Sequence, residues 1–273
     1  FMFIIHKIEA QDLQQLAYGT SDAKSITLSF YVRSTVTGTY AICLQQKDNS
    51  SKQVNGTYTI NSANTWERKT FTFAGDTSGV INDDNGHGLD ILWTLVAGSN
   101  RTSGSARPTW TAHANADESF GHTANVLSST SNDWLITGVQ LEVGDTATSF
   151  EHRSYAEELH RCHRYYQKLS GDALTYYGVG NVDGGTMNQI FVNFITEMRA
   201  APGGMDTSGT ASDYTVRMNS NATCTSVPVL SNRTTKNAMV IFYAAGHGFT
   251  NGQAVFARAA NNTNGFLGFG AEI

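Results

Sequence analysis

One stretch of helical periodicity divides this chain, and it separates two β-type regions. Ser154-Tyr-Ala-Glu157 has the form of a capping box: the Ser hydroxyl can accept from the third helical N–H while the Glu side chain reaches back to the cap. Tyr155, Leu159, Cys162, Tyr166 and Leu169 follow at steps of four, three, four and three. That spacing places them in one seam of a helix, with Ser170-Gly171 as its stop. The seam has two readings. It packs onto its own chain, or copies of it meet around a symmetry axis. A helix of about 16 residues is marginal alone in water, so either reading needs the flanking β regions to hold it.

Before the helix, Ile26, Leu28, Phe30 and Val32 alternate with polar residues, Thr37-Gly38 can turn the chain, and Tyr40, Ile42 and Leu44 alternate again. This reads as a hairpin-type pair. Tyr58 and Ile60, then Phe71 and Phe73, then Leu89, Ile91, Trp93 and Leu95 mark further strands. Trp134 and Ile136, a bulge-prone Gly138, and Val139, Leu141 and Val143 close the set. Trp66, Trp93 and Trp134 fall on or beside these patterns and read as core. Residues 97–133 lack periodicity and read as long loops on one rim. After the helix, residues 190–195, Tyr214 with Val216 and Met218, residues 239–242, Val255-Phe256 and residues 266–269 are short strands among Gly and Asn turns. The expectation is a mainly β protein: an antiparallel sandwich over 1–150, a junction helix over 151–171 and a small distal β domain over 172–273.

Composition narrows what such a chain can do. Charged residues are 15%, the net charge is -5 and no block of like charge occurs, so the clustered Lys and Arg of a nucleic-acid footprint are missing. The one basic group, Arg153, Arg161, Arg164 and Lys168, is balanced by Glu151, Glu157 and Glu158. No run approaches the roughly 20 apolar residues of a membrane span, so membrane insertion is not expected. Phe1-Met-Phe-Ile-Ile5 reads as a strand joined in mid-pattern, which suggests the distal part of a longer polypeptide. Cys43, Cys162 and Cys224 are odd in number and form no CxxC, so free buried thiols are expected, as suits assembly in a reducing cytosol.

The run Ile136-Thr-Gly-Val-Gln-Leu-Glu-Val-Gly-Asp-Thr-Ala-Thr148, followed by Phe150-Glu-His-Arg-Ser-Tyr155, Glu157-Glu-Leu159 and Arg164-Tyr-Tyr166, resembles a segment that recurs in tail-fibre and related virion proteins of marine bacteriophages. Upstream, residues 8–16, 25–34 and 58–67 are similar to the sandwich that usually precedes it. The family often has Pro at the position of Ser149, Gly at Ala156 and Gln at His163. The likeness is close over 8–167 and loose beyond. It implies a jelly-roll sandwich of carbohydrate-binding type in a virion attachment protein, commonly a homotrimer. Its partners would be other virion tail proteins and a host cell-surface polysaccharide.

Candidate chemistry is sparse. In Asn82-Asp-Asp-Asn-Gly-His-Gly-Leu-Asp90, the side chains of Asp83, Asp84, Asn85, His87 and Asp90 could contact sugar hydroxyls or Ca2+. The alternative is a polar turn in which Gly86 and Gly88 adopt special backbone angles. Trp110 could offer a flat face to a sugar ring, with Arg101 and Arg107 meeting an acidic sugar, or it could plug the end of the sandwich. His160 and His163 share a helix face but lack a third ligand, so no metal is assigned. Cys162 and His163, being adjacent on a helix, point about 100° apart and cannot act as nucleophile and base. Asp83 or Asp84 with Asp90 or Asp117 could form a glycosidase pair, but nothing in the sequence selects them.

The reading that follows is a non-catalytic tail-fibre or receptor-binding virion chain without a required cofactor. It would recognise glycan as a homotrimer joined through Tyr155, Leu159, Cys162, Tyr166 and Leu169. A depolymerase with an inter-chain active site and a purely structural virion appendage are the alternatives.

Overall fold

The computed structural model describes residues 1–48, 51–170, 172–244, 248 and 250–272. The protein is mainly β and divides into two compact units, residues 1–152 and 153–272. No described helix is long and apolar enough to cross a membrane.

The first unit is a two-layer antiparallel sandwich. Its strands are β1 (Met2–Glu9), β2 (Ile26–Ser34), β3 (Gly38–Gln46), β4 (Lys52–Ile60), β5 (Glu67–Phe73), β6 (His87–Val96), β7 (Thr111–Ala112) and β8 (Trp134–Val143), with the short helix α1 (Ser99–Thr102) between β6 and β7. One sheet runs β1-β6-β3-β4-β7 and the other β5-β2-β8. The chain crosses repeatedly from sheet to sheet, as jelly-roll sandwiches do. The hairpin expected from residues 26–44 does not form: β2 pairs with β5 and β8, whereas β3 pairs with β4 and β6. The two alternations match because both strands face one core from opposite sides. Leu28, Phe30 and Val32 meet Tyr40, Ile42 and Leu44 there, and the Phe30 ring stands edge-on to Tyr58 and Trp93 at 5.4 and 5.8 Å. Gly138, at φ 57°, makes the bulge: the β2–β8 register shifts between Ser29↔Gln140 and Tyr31↔Thr137.

Trp93 is buried in this core and Trp134 packs against it, but Trp66 is 44% exposed. It precedes β5, outside the strand whose alternation was used to place it. Cys43 and Cys224 are buried free thiols. Cys162 is also free but exposed, contrary to expectation, because its helix buries no residue.

The second unit contains α2 (Tyr155–His163) and strands β9 (Tyr166–Ser170), β10 (Tyr176–Asp183), β11 (Met187–Asn193), β12 (Gly204–Thr207), β13 (Tyr214–Arg217), β14 (Asn221–Thr223), β15 (Val229–Arg233), β16 (Asn237–Tyr243), β17 (Ala254–Ala259) and β18 (Phe266–Gly270). A seven-stranded sheet, β14-β13-β17-β10-β11-β16-β15, shares its core with a three-stranded sheet, β12-β18-β9. Leu267 and Phe269 of the small sheet and Ile190, Val192, Val240 and Phe242 of the large one are buried together.

The helix begins as the sequence predicts, with the Ser154 hydroxyl accepting from the Glu157 N–H at 3.3 Å. It ends at His163, six residues short of Leu169. Tyr166 and Leu169 are therefore strand residues, paired with Gly270 and Leu267 of β18. Ladder hydrogen bonds to β18 replace the continued helix, and Gln167 fastens the change. Its side chain donates to the His163 and Thr196 carbonyls at 2.9 and 2.7 Å and accepts from the Ile195 N–H at 2.7 Å. The expected stop at Gly171 lies outside the described residues. The division between units falls at His152/Arg153, and β9 lies within the span 151–171 that had been expected to be helix.

Candidate functional site

The polar loop between β5 and β6 is a turn fitted to its own unit. The Asp84 carboxylate accepts from the Gly86 N–H at 2.8 Å, and the Gly86 and Asp84 carbonyls accept from the N–H groups of Ala10 and Gln11 at 3.0 and 2.8 Å. A bulge at Gly88 turns His87 and Asp90 to the same side, where His87 Nε2 contacts the Asp90 carboxylate and Lys47 pairs with it at 3.3 Å. Asp90 is 4% exposed, while Asp83, Asp84 and Asn85 lie on the outside of the turn. The five side chains do not converge on a point, and among the described residues no group of three His, Cys, Asp or Glu is placed to hold a metal.

Of residues 97–133, expected as rim loops, the segments 101–107 and 113–123 are not. They fold over the outer face of the β3–β4–β6 sheet and are held there by buried polar contacts. The Glu118 carboxylate, 4% exposed, accepts from Gln45 Nε2 at 3.0 Å, contacts His113 Nε2 at 2.7 Å and pairs with Arg101. Asp117 accepts from Arg107 Nε at 2.7 Å and from the Ser105 N–H at 2.6 Å. Asn55 donates to the Asp117 carbonyl at 2.6 Å and accepts from the Arg107 N–H at 2.8 Å. His122 Nδ1 accepts from the Ala41 N–H at 3.2 Å, and burial pushes its pKa below the ordinary imidazole value. A side chain at Gly104 would collide with the Asp117 carboxylate, so the close approach requires glycine there.

Two expected ligand groups are thereby committed elsewhere. Arg101 is tied to Glu118 and Asn115 and lies 4.1 Å over the Phe1 ring. Trp110 donates its indole N–H to the Ala74 carbonyl at 2.8 Å and packs edge-on against Tyr18 at 5.8 Å. It packs partly buried against the first core, as a plug of the sandwich end would. Asp117 and Asp90, suggested as one half of a glycosidase pair, both carry ion-pair partners.

The seven-stranded sheet of the second unit presents a different surface. Val179 pairs with Phe256 on one side and Phe191 on the other, and Phe191 pairs with Met239. These four form one transverse row on the face away from the core. Phe256, Val179 and Phe191 are 46%, 51% and 47% exposed. Beside the row, Tyr176, Tyr177, Gly178, Val179 and Phe256 line a shallow groove of about 380 Å³. Tyr176 and Phe256 stand edge to face at 5.8 Å. A side chain at Gly178 would strike the Phe191 carbonyl and crowd the Ile190 side chain of the core, so the close approach of β10 to β11 requires glycine there. Arg217 Nη1 donates to the Tyr176 hydroxyl at 3.3 Å. Arg258, 5% exposed, lies 5.8 Å from the Tyr176 ring centre, donates to Asn221 Oδ1 at 2.8 Å and keeps a buried Nε with no partner. Sequence reasoning missed this cluster. Its one local signal was the run Tyr176-Tyr-Gly-Val-Gly180, in which aromatics alternate with glycine.

Tyr155, Leu159 and Cys162 keep the helical spacing expected of them, and all three are exposed, Tyr155 by 81% and Leu159 by 38%. No residue of α2 is buried. Compared with known proteins, no family model, no curated sequence and no solved structure matches the chain.

Proposed function

We propose that this chain is a non-catalytic attachment component of a bacteriophage tail fibre or a related virion appendage, working as a homotrimer that recognises a host surface glycan. The motif running from residue 136 to residue 166 motivates the virion setting. The bare seam of α2 carries the trimer. A nine-residue helix is too short to persist in water on its own propensity, and no residue of this one is fully buried. Three copies meeting at an axis would cover Tyr155, Leu159 and Cys162 with the same residues of their neighbours, removing their remaining apolar surface from water. Flanking Glu157 and Glu158 alternate with Arg161 and Arg164, so neighbouring copies present both signs of charge.

A trimer also suits weak sugar sites. Three linked sites raise apparent affinity by about 10²–10⁴-fold through effective concentration, with no new contact. Light scattering on the chain at micromolar concentration tests the assembly. The expected mass is three times 29.6 kDa, and Leu159→Glu is expected to reduce it to one chain without loss of β circular dichroism. A wild-type chain that stays single at that concentration would remove the trimer from this reading.

A further inference from the structure

We propose that the groove at Tyr176, Phe256 and Arg217 binds an anionic sugar, one whose ring carries a carboxylate or a sulfate. The inference rests on the glycan-recognition reading and assigns it a place and a ligand class. Tyr176 and Phe256 offer two apolar ring surfaces at right angles, both about half exposed, with Val179 beside them. A pyranose ring has one apolar face that suits such a surface and a rim of hydroxyls that suits the Tyr176 hydroxyl and Asn221.

The charge comes from the arginines. Among the described residues neither Arg217 nor Arg258 has a carboxylate partner, although the two sit on neighbouring strands. The first unit does the opposite: Asp76, Asp90, Asp117 and Glu118, all buried, each face a cation. A guanidinium that is 5% exposed, with an unpartnered Nε and no counter-charge, is costly to hold. A carboxylate or sulfate arriving over Tyr176, hydrogen-bonded to Arg217, would offset that cost. Stacked nucleic-acid bases would also suit arginine and aromatic rings. The chain's net charge of -5 and its lack of a basic stripe around the pair favour the sugar.

The test uses the full chain against four probes: an alginate oligosaccharide for carboxylate, a dextran sulfate oligomer for sulfate, neutral dextran and oligo-dT. Biolayer interferometry is expected to show one or both anionic glycans binding at least about tenfold more tightly than dextran, and their ratio tells carboxylate from sulfate. Tyr176→Ala and Arg217→Gln are each expected to weaken that binding by about tenfold. Arg233→Gln, on β15 at the other edge of the sheet, should leave it unchanged. Equal binding of dextran, preference for oligo-dT, equal loss with Arg233→Gln, or no loss with Tyr176→Ala and Arg217→Gln would each overturn the site. If no glycan binds while light scattering shows a trimer, glycan recognition falls with the site and the assembly stands. If the expected pattern appears in a monomer, the site stands and the assembly falls.

Discussion

The two units treat the outer face of a large sheet in opposite ways. In the first, the face opposite the core carries Gln45, Asn55, Asp90 and Thr94, and the segments 101–107 and 113–123 fold over it. Every strand position on β3 from Tyr40 to Gln46 is buried as a result. In the second, the equivalent face carries Val179, Phe191, Met239 and Phe256, and among the described residues no segment of that unit covers the row. A polar outer face can be closed by the chain itself, because each carboxylate or amide finds a fixed partner in the covering segment. An apolar outer face offers no such fixed polar partners to a covering segment, so nothing of that kind ties one down there.

That contrast can be broken at several points. The largest effect is expected in the core of the second unit: Phe242→Ala should cost about 3–5 kcal/mol, read from the denaturation midpoint, through the cavity it leaves. Next comes the covering segment of the first unit. Glu118→Ala leaves Arg101, His113 and Gln45 without their shared acceptor. The expected loss is about 2–3 kcal/mol, less than for a dry pair because Arg101 and His113 keep partial solvent access. An unchanged midpoint would mean that the segment rests on the sheet without being held by charge.

A pH titration sharpens the same point with a smaller effect. Burial lowers the His122 pKa below 6.5, so the unfolded chain binds the proton more readily than the folded one. The contribution is fully present above about pH 6.5 and is lost as pH falls through the lower folded value. The protection factor of the Ala41 amide, exchange divided by its intrinsic pH-dependent rate, is expected to fall as pH drops below about 6.5, and His122→Gln should abolish that acid step. Smallest of all, Phe191→Ala on the open row should change the stability of the single chain by under about 1 kcal/mol. A loss as large as that of Phe242→Ala would show that the row is already packed.

Much of this was legible beforehand, for reasons that differ by residue. The alternation of β2, β3, β6 and β8 was readable because each puts apolar side chains on one core face. The Gly138 bulge was readable because the alternation changes phase there. Alternation does not say which strand is the neighbour, so it cannot tell a β2–β3 hairpin from two strands that face each other across the core. Tyr166 and Leu169 were misplaced because steps of four and three continue the helical seam by chance, while the competing pattern lies a hundred residues away in β18. The groove was hidden because β10 carries Gly178 and Gly180 where a strand reader expects side chains, with a further irregularity between Tyr176 and Gly178. The anchoring of Arg101 and Trp110 depends on Glu118 and Ala74, at sequence distances where no local rule operates.

By itself the sequence determined the β character, the start of α2 with its cap at Ser154, and the apolar alternation that fills much of the first core. Those features follow from local spacing and from the transfer of apolar side chains out of water, which act on neighbours along the chain. Only the tertiary structure decided which sheet each strand joined, where α2 ended, which carboxylates were matched by cations and which arginines were left without one. Those outcomes turn on long-range hydrogen-bond ladders and on the charges that happen to be buried face to face, and neither is encoded in a window of neighbouring residues.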